Sequence, residues 1–258
     1  MRQEAMRITA QREIADDIFE IRLQGEMVLD IREPGQFVHM LPGGGSGGAS
    51  PLLRRPISIC SADPANKEMT LIYRRGGLGT DILSHAEPDE RLDVLGPLGH
   101  GFPLTGSGKR ALVIGGGVGV PPLFGLSEEL VRRGVQVTHV LGFRSAKDVF
   151  YVKAFAALGR TIIMTEDGTA GQKGRVTDVL EGVTYDVAYA CGPLPMLKAV
   201  ENEVTDRPLY ISMEQRMGCG IGACLACVVH TVDKNDGKGY RRVCCDGPVF
   251  KAREVELC

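Results

Sequence analysis

The chain has 258 residues, 43% of them hydrophobic, and a formal net charge of −2. This size suits one large or two modest domains with buried cores. The 30 Lys and Arg residues nearly balance the 32 Asp and Glu residues, so the chain has no positive electrostatic field that would attract nucleic acid. No apolar run reaches the roughly eighteen residues of a membrane span, and the charged start lacks the apolar core of a signal peptide. We therefore expect a cytoplasmic protein.

The first part of the chain, residues 1–104, alternates short strand patterns with turn signals. IFEIRL (18–23) and MTLIYR (69–74) predict strands, whereas EPGQF and GPLGHGFPL predict turns. No long amphipathic helix pattern occurs here, so we predict a small antiparallel β-barrel. The composition of LPGGGSGGASPLL (41–53) predicts a flexible loop.

Two motifs in this part suit a phosphate-bearing flavin. In RPIS, the planar guanidinium of Arg55 can pair with phosphate oxygens, and Ser58 can donate to the flavin ring. Alone, Arg55 would be an ordinary residue on an edge strand, but IYRRGGLGT accompanies it. Gly79 and Thr80 fall at the start of a predicted helix, where free N–H groups and the helix dipole suit a pyrophosphate. Arg74 can also reach a phosphate from this segment.

After a linker-like segment, LTGSGKR (104–110), strand, loop and helix patterns alternate. The predicted strands are ALVI, VQVTHVLGF, TIIMTE, DVAYACG and PLYISM, and the predicted helices are PLFGLSEELVRRG, DVFYVKAFAALG and MLKAVENEV. Short apolar strands between helices predict a doubly wound parallel sheet covered on both faces. We assign residues 105–213 to this α/β domain and residues 214–258 to a separate cysteine-rich module.

A glycine-rich turn in ALVIGGGVGVPPL follows the first of these strands. The glycines that would let the backbone meet a nucleotide phosphate are Gly115, Gly116, Gly117 and Gly119. The pattern departs from G-x-G-x-x-G, and the acidic ribose ligand expected about twenty residues on is absent. NADH and NADPH therefore both stay open on the residues alone.

The segment ACGPLPML also follows a strand and opens a helix. This order places Cys191, Gly192 and Pro193 at the carboxyl edge of the predicted sheet, where ligands bind. Cys191 is a candidate for packing against the nicotinamide, and its alternative role is that of a small buried apolar residue.

Four cysteines near the end show the spacing C-x4-C-x2-C-x16-C; they are Cys219, Cys224, Cys227 and Cys244. The first three follow the plant-type ferredoxin spacing for a [2Fe-2S] cluster. Small residues between them, such as Gly220 and Gly222, leave backbone N–H groups free to donate to cluster sulfurs. Structural zinc is the strongest alternative, although zinc sites usually pair short C-x2-C knuckles, and redox-active or core thiols are others. Cys245 makes the fourth ligand ambiguous on spacing alone.

The other chemically reactive residues show no such pattern. Cys60 and Cys258 are interpreted as ordinary thiols, since a reducing compartment disfavours disulfides. None of the histidines pairs at metal-ligand spacing, and we interpret all five as structural: His39, His85, His100, His139 and His230.

The motifs together resemble one family. RPIS, IYR, GT, GGGVGVPPL and CGP are similar to those of ferredoxin-reductase-type flavoproteins, and MEQRMGCGIGACLACVV with RRVCCDGPVF is similar to the electron-transfer subunits of class 1B dihydroorotate dehydrogenases. The resemblance spans nearly the whole chain. It implies FAD, a [2Fe-2S] cluster and NAD(H), and an FMN-containing catalytic partner that oxidises dihydroorotate to orotate in pyrimidine biosynthesis. It also implies a heterotetramer with two copies of each subunit.

The resemblance also assigns individual residues. By match, the FAD residues are Arg55, Pro56, Ile57, Ser58, Ile72, Tyr73, Arg74, Gly79 and Thr80. The family motif has one cysteine ahead of a variable residue and Asp-Gly-Pro, which selects Cys244 as the fourth cluster ligand. Cys245 at the variable place is a departure that leaves a ligand swap open.

The cofactor set implies an order of electron transfer. Nicotinamide exchanges electron pairs and a [2Fe-2S] cluster exchanges single electrons, so the flavin, which does both, must stand between them. We expect the nicotinamide to stack on the flavin across the cleft between barrel and sheet, with the cluster on the other side, near the partner. A diaphorase-type subunit of a ferredoxin- or sulfur-linked complex would use the same cofactors. A zinc-stabilised nucleotide-binding regulator is an alternative of another class.

Overall fold

The structure is a computed structural model, which describes residues 1–43, 51–106 and 108–257. Most of the predicted 41–53 loop lies outside the described residues. The described part contains a closed barrel, a seven-stranded sheet with flanking helices, and a two-stranded sheet. The predicted combination of β and α/β domains is therefore confirmed.

The barrel is antiparallel, with its six strands in the order β1-β2-β5-β4-β3-β6. Short helix α1, Leu78–Ser84, follows its fifth strand. Apolar side chains alternate towards the interior; in the third strand Val38 and Met40 join the barrel core, so Phe37 and His39 point outwards. The strands are β1 Arg2–Ala15, β2 Ile18–Gln24, β3 Phe37–Leu41, β4 Arg55–Asp63, β5 Glu68–Arg74 and β6 Arg91–Leu98.

One predicted turn was wrong at its start. Gly96, Pro97 and Leu98 open the segment GPLGHGFPL, but they continue β6. Gly96 pairs with Arg2 of β1 and Leu98 pairs with Phe37 of β3. Pairing on both sides outweighs the local turn preference of Gly and Pro, because it satisfies backbone groups that closure of the barrel would otherwise bury.

The α/β domain has its strands in the order β10-β9-β8-β7-β11-β12, all parallel, as a doubly wound sheet requires. This confirms the predicted parallel sheet. The strands are β7 Arg110–Gly116, β8 Gln136–Phe143, β9 Arg160–Thr165, β10 Gln172–Lys173, β11 Val187–Cys191 and β12 Leu209–Ser212, and the helices are α2 Pro121–Arg132, α3 Val152–Leu158 and α4 Leu194–Glu203.

Helix α3 is shorter than the predicted segment DVFYVKAFAALG. The backbone N–H and the hydroxyl of Ser145 donate to the Asp148 carboxylate, which closes a separate short turn before the helix. Tyr151 then adopts a left-handed conformation with φ 60°, so the helix begins only at Val152. The turn at Ser145 and the left-handed residue together explain the difference.

The cysteine-rich segment contacts both other parts of the protein. Strands β13 Val228–His230 and β14 Tyr240–Arg242 form a hairpin, and β15 Val249–Lys251 adds an antiparallel edge to β12 of the large sheet. Its buried side chains share one apolar cluster with Phe37 and Leu98 of the barrel. Among the helices of the described segments, none combines the length and the apolar character needed to cross a membrane.

Candidate functional site

A cavity of about 770 Å³ lies where the barrel, the α/β domain and the cysteine-rich segment meet. The structure brings together most of the residues that the family resemblance assigns to FAD. Strands β4 and β5 lie side by side in the barrel, and their ends supply one wall of the cavity. The assigned residues that line it are Arg55, Pro56, Ile57, Ser58, Ile72, Tyr73 and Arg74.

Gly79 and Thr80 lie beside this cavity, at the start of α1. A Cβ at Gly79 would lie 2.5 Å from Nε of Arg55, so only a glycine lets this guanidinium lie against the helix. Thr80 Oγ1 accepts a hydrogen bond from the Gly76 N–H at 3.1 Å and donates to the Gly77 carbonyl at 3.0 Å. A guanidinium and the first turn of a helix therefore meet in one corner, which suits a phosphate.

The neighbouring arginines differ in their surroundings. Arg54 donates to the carbonyls of His39 and Asp93 and forms a 2.7 Å ion pair with the Asp93 carboxylate, so its guanidinium ties strands together. Arg74 lies 3.8 Å from the Asp148 carboxylate, across the boundary between barrel and α/β domain. Its Nε is buried and has no hydrogen-bond partner among the described residues. A buried, unpartnered donor in the cavity wall fits a polar ligand such as a flavin nucleotide.

The four glycines of the predicted nucleotide turn do not have equivalent surroundings. A Cβ at Gly115 would meet the side chains of Val120 and Leu123, and one at Gly119 would lie 2.4 Å from the Cys191 carbonyl oxygen. The Gly116 position lies under Met196, at 2.5 Å from its sulfur. Gly117 alone of the four has φ +52° and open space around it. Close packing explains three of these glycines, and nucleotide contact stays a prediction.

The CGP motif lies at the carboxyl end of β11, as its position in the sequence predicts. Cys191 is buried, and burial, followed by the charge of Glu214, raises the pKa of its thiol far above the usual value, against the hydrogen bond from Ser212. It is a neutral thiol, suited to packing and not to nucleophilic attack. Met196 also covers Gly192: a Cβ added there would lie 2.5 Å from Cε of Met196. Pro193 is exposed at the start of α4.

The sequence analysis missed Glu214 as a site residue. It follows β12, and its side chain reaches the cavity. The residue as a whole is exposed, but protein atoms crowd its carboxyl group, and this local burial raises its pKa. A carboxyl that holds its proton to higher pH is suited to proton exchange with a ligand. The sequence could have indicated Glu214 by its position just beyond the carboxyl end of a parallel strand, where ligands of such sheets bind.

The four predicted cluster cysteines fall into two pairs. Cys219 lies beside Cys224, and Cys227 lies beside Cys244. The N–H groups of Ala223 and Cys224 donate to Cys219 Sγ at 3.3 and 3.4 Å, and that of Cys244 donates to Cys227 Sγ at 3.4 Å. The small residues of this loop therefore expose N–H groups to sulfur, as the composition predicted.

The electrostatics of Cys219 favour a thiolate ligand. Burial acts to raise its pKa, but N–H groups of the loop, with those of Ile221 and Cys224 foremost, lower it to about 7. A thiol that ionises near neutral pH binds a metal readily. Within residues 1–43, 51–106 and 108–257, no three His, Cys, Asp or Glu side chains converge on one point as ligands of a single metal ion do. Two separate thiol pairs suit a two-iron cluster, which spreads its four ligands over two metals.

The two adjacent cysteines take different positions. Cys244 is buried against Cys227, whereas Cys245 is partly exposed and its Sγ lies 3.6 Å from Cys244 Sγ. Cys245 also lies against Gly222, where a Cβ would come within 2.7 Å of its sulfur. Of the two thiols, Cys244 is the one that completes the second pair.

Arg242, which is ion-paired with Asp246, joins the segment that carries the fourth cysteine to the loop of the first three. Arg242 Nη1 donates to the Gly222 carbonyl at 3.2 Å, and the Asp246 carboxylate accepts from the Arg242 backbone N–H at 2.7 Å and from Nε at 3.1 Å. The hydrogen bonds from Arg242 lower the pKa of Asp246 to about 2. The sequence analysis did not identify this pair as part of the centre.

Comparison with known proteins agrees with this arrangement. Residues 214–256 match the model of the iron-sulfur cluster binding domain of dihydroorotate dehydrogenase B, and residues 113–202 match an oxidoreductase NAD-binding domain. The chain is 52% identical to the dihydroorotate dehydrogenase B (NAD(+)) electron transfer subunit of Geobacillus sp. (strain WCH70), with 100% of both chains covered. It is 51% identical to the subunit of the same name from Bacillus cereus (strain B4264), again over 100% of both.

Solved structures show the same fold. An NADH-dependent reduced ferredoxin-NADP oxidoreductase superposes with a TM-score of 0.86 and 27% identity, over 98% of this chain and 90% of that one. The cytochrome b5 reductase domain of Ulva prolifera nitrate reductase superposes with a TM-score of 0.65 and 17% identity, over 80% and 94%, which shows the fold alone. Together, the family matches and the flavoprotein reductase fold confirm the predicted cofactors: FAD, a [2Fe-2S] cluster and NAD(H). The chain belongs to the family of dihydroorotate dehydrogenase B electron transfer subunits.

Proposed function

We propose that this chain passes electrons between NAD(H) and a separate FMN-containing subunit that oxidises dihydroorotate to orotate in pyrimidine biosynthesis. The observation that carries the proposal is the shared wall between the flavin cavity and the cysteine centre. Met217 and Pro248 line the cavity, and they lie two residues before Cys219 and four residues after Cys244. A cluster held by these cysteines would therefore lie next to a flavin in the cavity.

When bound, FAD exchanges an electron pair with NAD(H) and single electrons with the cluster. The residues of the chain bind and orient these groups. Arg55 and the start of α1 would hold the pyrophosphate, and Ser58 would donate a hydrogen bond to the flavin ring. The N–H groups around Cys219 stabilise its thiolate, and Glu214 places a carboxyl whose pKa is raised by burial in the cavity wall.

Dihydroorotate, the substrate of the overall reaction, binds to the partner subunit in this proposal. Every part of the described chain is assigned to the barrel, the α/β domain or the cysteine segment, and no (β/α)8 barrel is among them. Apolar side chains at the cysteine centre are partly exposed, with Ile221 at 45%, Leu225 at 48% and Val228 at 39%. They suit a docking surface that excludes water from the path to the partner. The assembly we propose is a cytoplasmic heterotetramer with two copies of each subunit, specific for NAD.

The test is low-temperature electron paramagnetic resonance (EPR) on protein purified anaerobically with its native cofactors, before and after NADH. We expect a new signal of a reduced [2Fe-2S] centre, together with iron and acid-labile sulfide in equal amounts. The chain alone should reduce an artificial acceptor with NADH but not react with dihydroorotate. A signal with dithionite but not with NADH would contradict the nicotinamide assignment, and zinc without sulfide would contradict the cluster.

A second candidate is a diaphorase-type subunit of a ferredoxin-linked complex. The superposition with the NADH-dependent reduced ferredoxin-NADP oxidoreductase favours it, since that structure covers 98% of this chain. Purification of the native complex separates the two. A co-purifying FMN protein that oxidises dihydroorotate supports the first proposal, and a ferredoxin-dependent partner supports the second.

A further inference from the structure

His39 lies between the flavin-binding strand and the cysteine loop. In the barrel it pairs with Pro56 of the RPIS motif on one side and with Leu95 of β6 on the other. Its backbone carbonyl also accepts a 3.2 Å hydrogen bond from Arg54. The backbone of His39 is therefore fixed to the strand that carries the flavin residues.

The imidazole of His39 leaves the barrel towards the cysteine loop. Gly220 lies directly over the ring: a Cβ there would come within 2.6 Å of His39 Nδ1. Gly220 has φ +70° and is buried, so the loop approaches the ring with its backbone. Because Gly220 immediately follows Cys219, one side chain spans the distance between the flavin strand and a predicted cluster ligand.

The ring is also an unusual buried polar group. His39 is 0% exposed, and neither ring nitrogen has a hydrogen-bond partner among the described residues. Burial lowers the pKa of the imidazole, while the nearby backbone carbonyls of Cys219 and Arg54 act to raise it, although neither carbonyl meets the ring in good hydrogen-bond geometry. A buried polar side chain without partners destabilises a fold, so stability does not explain a histidine here.

We propose that His39 is a positioning residue for the electron step between flavin and cluster: its imidazole packs under Gly220, with Nδ1 facing the loop backbone there, and so sets the position of the cysteine loop against the flavin-binding strand. This inference rests on the proposed function, since it concerns the path between the two cofactors. It assigns no role to His39 in hydride transfer from NADH, because the residue does not line the described cavity.

The experiment compares His39→Leu, which removes the polar atoms, with His39→Gln, which keeps an N–H donor. His139→Leu is the matched control: His139 is also 0% exposed, but it lies in the α/β domain and its ring hydrogen-bonds Thr161 and Ser127. Proteins purified anaerobically with their native cofactors are mixed with NADH, and flavin reduction is followed by absorbance and cluster reduction by rapid-freeze EPR. Thermal unfolding and the EPR line shape are recorded for each.

In His39→Leu we expect unchanged flavin reduction, cluster reduction slowed about tenfold or more, and an altered EPR line shape, because small displacements of reacting groups cost large factors in rate. His39→Gln should recover most of the rate. The unfolding temperature of His39→Leu should not fall, since an unpartnered polar group is lost. His139→Leu should lose stability and keep the normal cluster signal.

The outcomes separate this inference from the proposed function. If wild-type protein shows no cluster reduction by NADH, the proposed function fails, and the inference with it. If wild-type reduces its cluster and His39→Leu does so within twofold of the same rate, the inference alone is overturned. Equal slowing of flavin and cluster reduction in His39→Leu also overturns it. Loss of iron from His39→Leu but not from His139→Leu supports the inference, and loss from both overturns it.

Discussion

Substitution of Gly79 by alanine tests the phosphate corner of the flavin cavity. The added Cβ would lie 2.5 Å from Nε and 2.7 Å from Cζ of Arg55, so the guanidinium must move. A charge-assisted hydrogen bond is worth about 1.5–3 kcal/mol. Loss of one such bond to phosphate should weaken FAD binding roughly 10- to 100-fold. Because alanine favours the first turn of a helix over glycine, the stability of the barrel should not decrease.

The chain provides a matched control two residues earlier. Gly77 has extended backbone, with φ −174°, and nothing lies within 4 Å of a Cβ there. Gly77→Ala should therefore bind FAD as the wild type does. Titration of the apoprotein with FAD, followed by flavin fluorescence, measures both variants. If Gly79→Ala and wild type bind FAD equally, Arg55 is not a phosphate ligand and the corner has another use.

Four further predictions concern the rest of the site. Because burial raises its pKa, Glu214 should keep its proton to higher pH than an exposed carboxyl and lose it as the pH rises further. A plot of the rate of flavin reduction by NADH against pH should therefore show an inflection in the wild type that Glu214→Gln abolishes. Asp246→Asn should cost about 1–3 kcal/mol through the weakened pair with Arg242 and speed the loss of iron on dialysis. The stabilisation from Asp246 should be present above the usual carboxyl pKa of 3.8 and disappear as pH falls through about 2. Cys244→Ser should lower iron and sulfide content, whereas Cys245→Ser should leave both unchanged; the reverse result would show the ligand swap.

The parts of the site that could be predicted from sequence are those encoded within short segments. Three cluster ligands lie on one loop, so their spacing alone indicates the cluster. The residues of RPIS and IYR lie on adjacent antiparallel strands, where a family motif suffices to identify them. The doubly wound sheet follows from alternating patterns that are each contained in a single element.

The parts that could not be predicted depend on contacts between distant segments. Gly116 needs its small size because Met196 comes from another strand-helix unit, which no local pattern reveals. His39 was interpreted as structural because it lacks metal-ligand spacing, and only the fold places it under Gly220. The pair of Asp246 with Arg242, four residues earlier, is local in sequence. The hydrogen bond from Arg242 to Gly222 in the cysteine loop is not, since it forms only when the two segments fold together.

The same long-range contacts fix the cysteine centre relative to the flavin cavity. Pro248, four residues beyond Cys244, lines the cavity, and its carbonyl accepts a 2.9 Å hydrogen bond from the Met213 N–H at the end of the sheet. The preceding carbonyl, of Gly247, accepts one at 2.7 Å from His100, at the end of the barrel. Backbone from the barrel, the sheet and the cysteine segment therefore meets at one point between the two predicted cofactor sites. We therefore expect electrons to pass between flavin and cluster without movement of the barrel, the sheet and the cysteine segment relative to one another. On the nicotinamide side, by contrast, the Met196 side chain covers two of the predicted nucleotide glycines, Gly116 and Gly192.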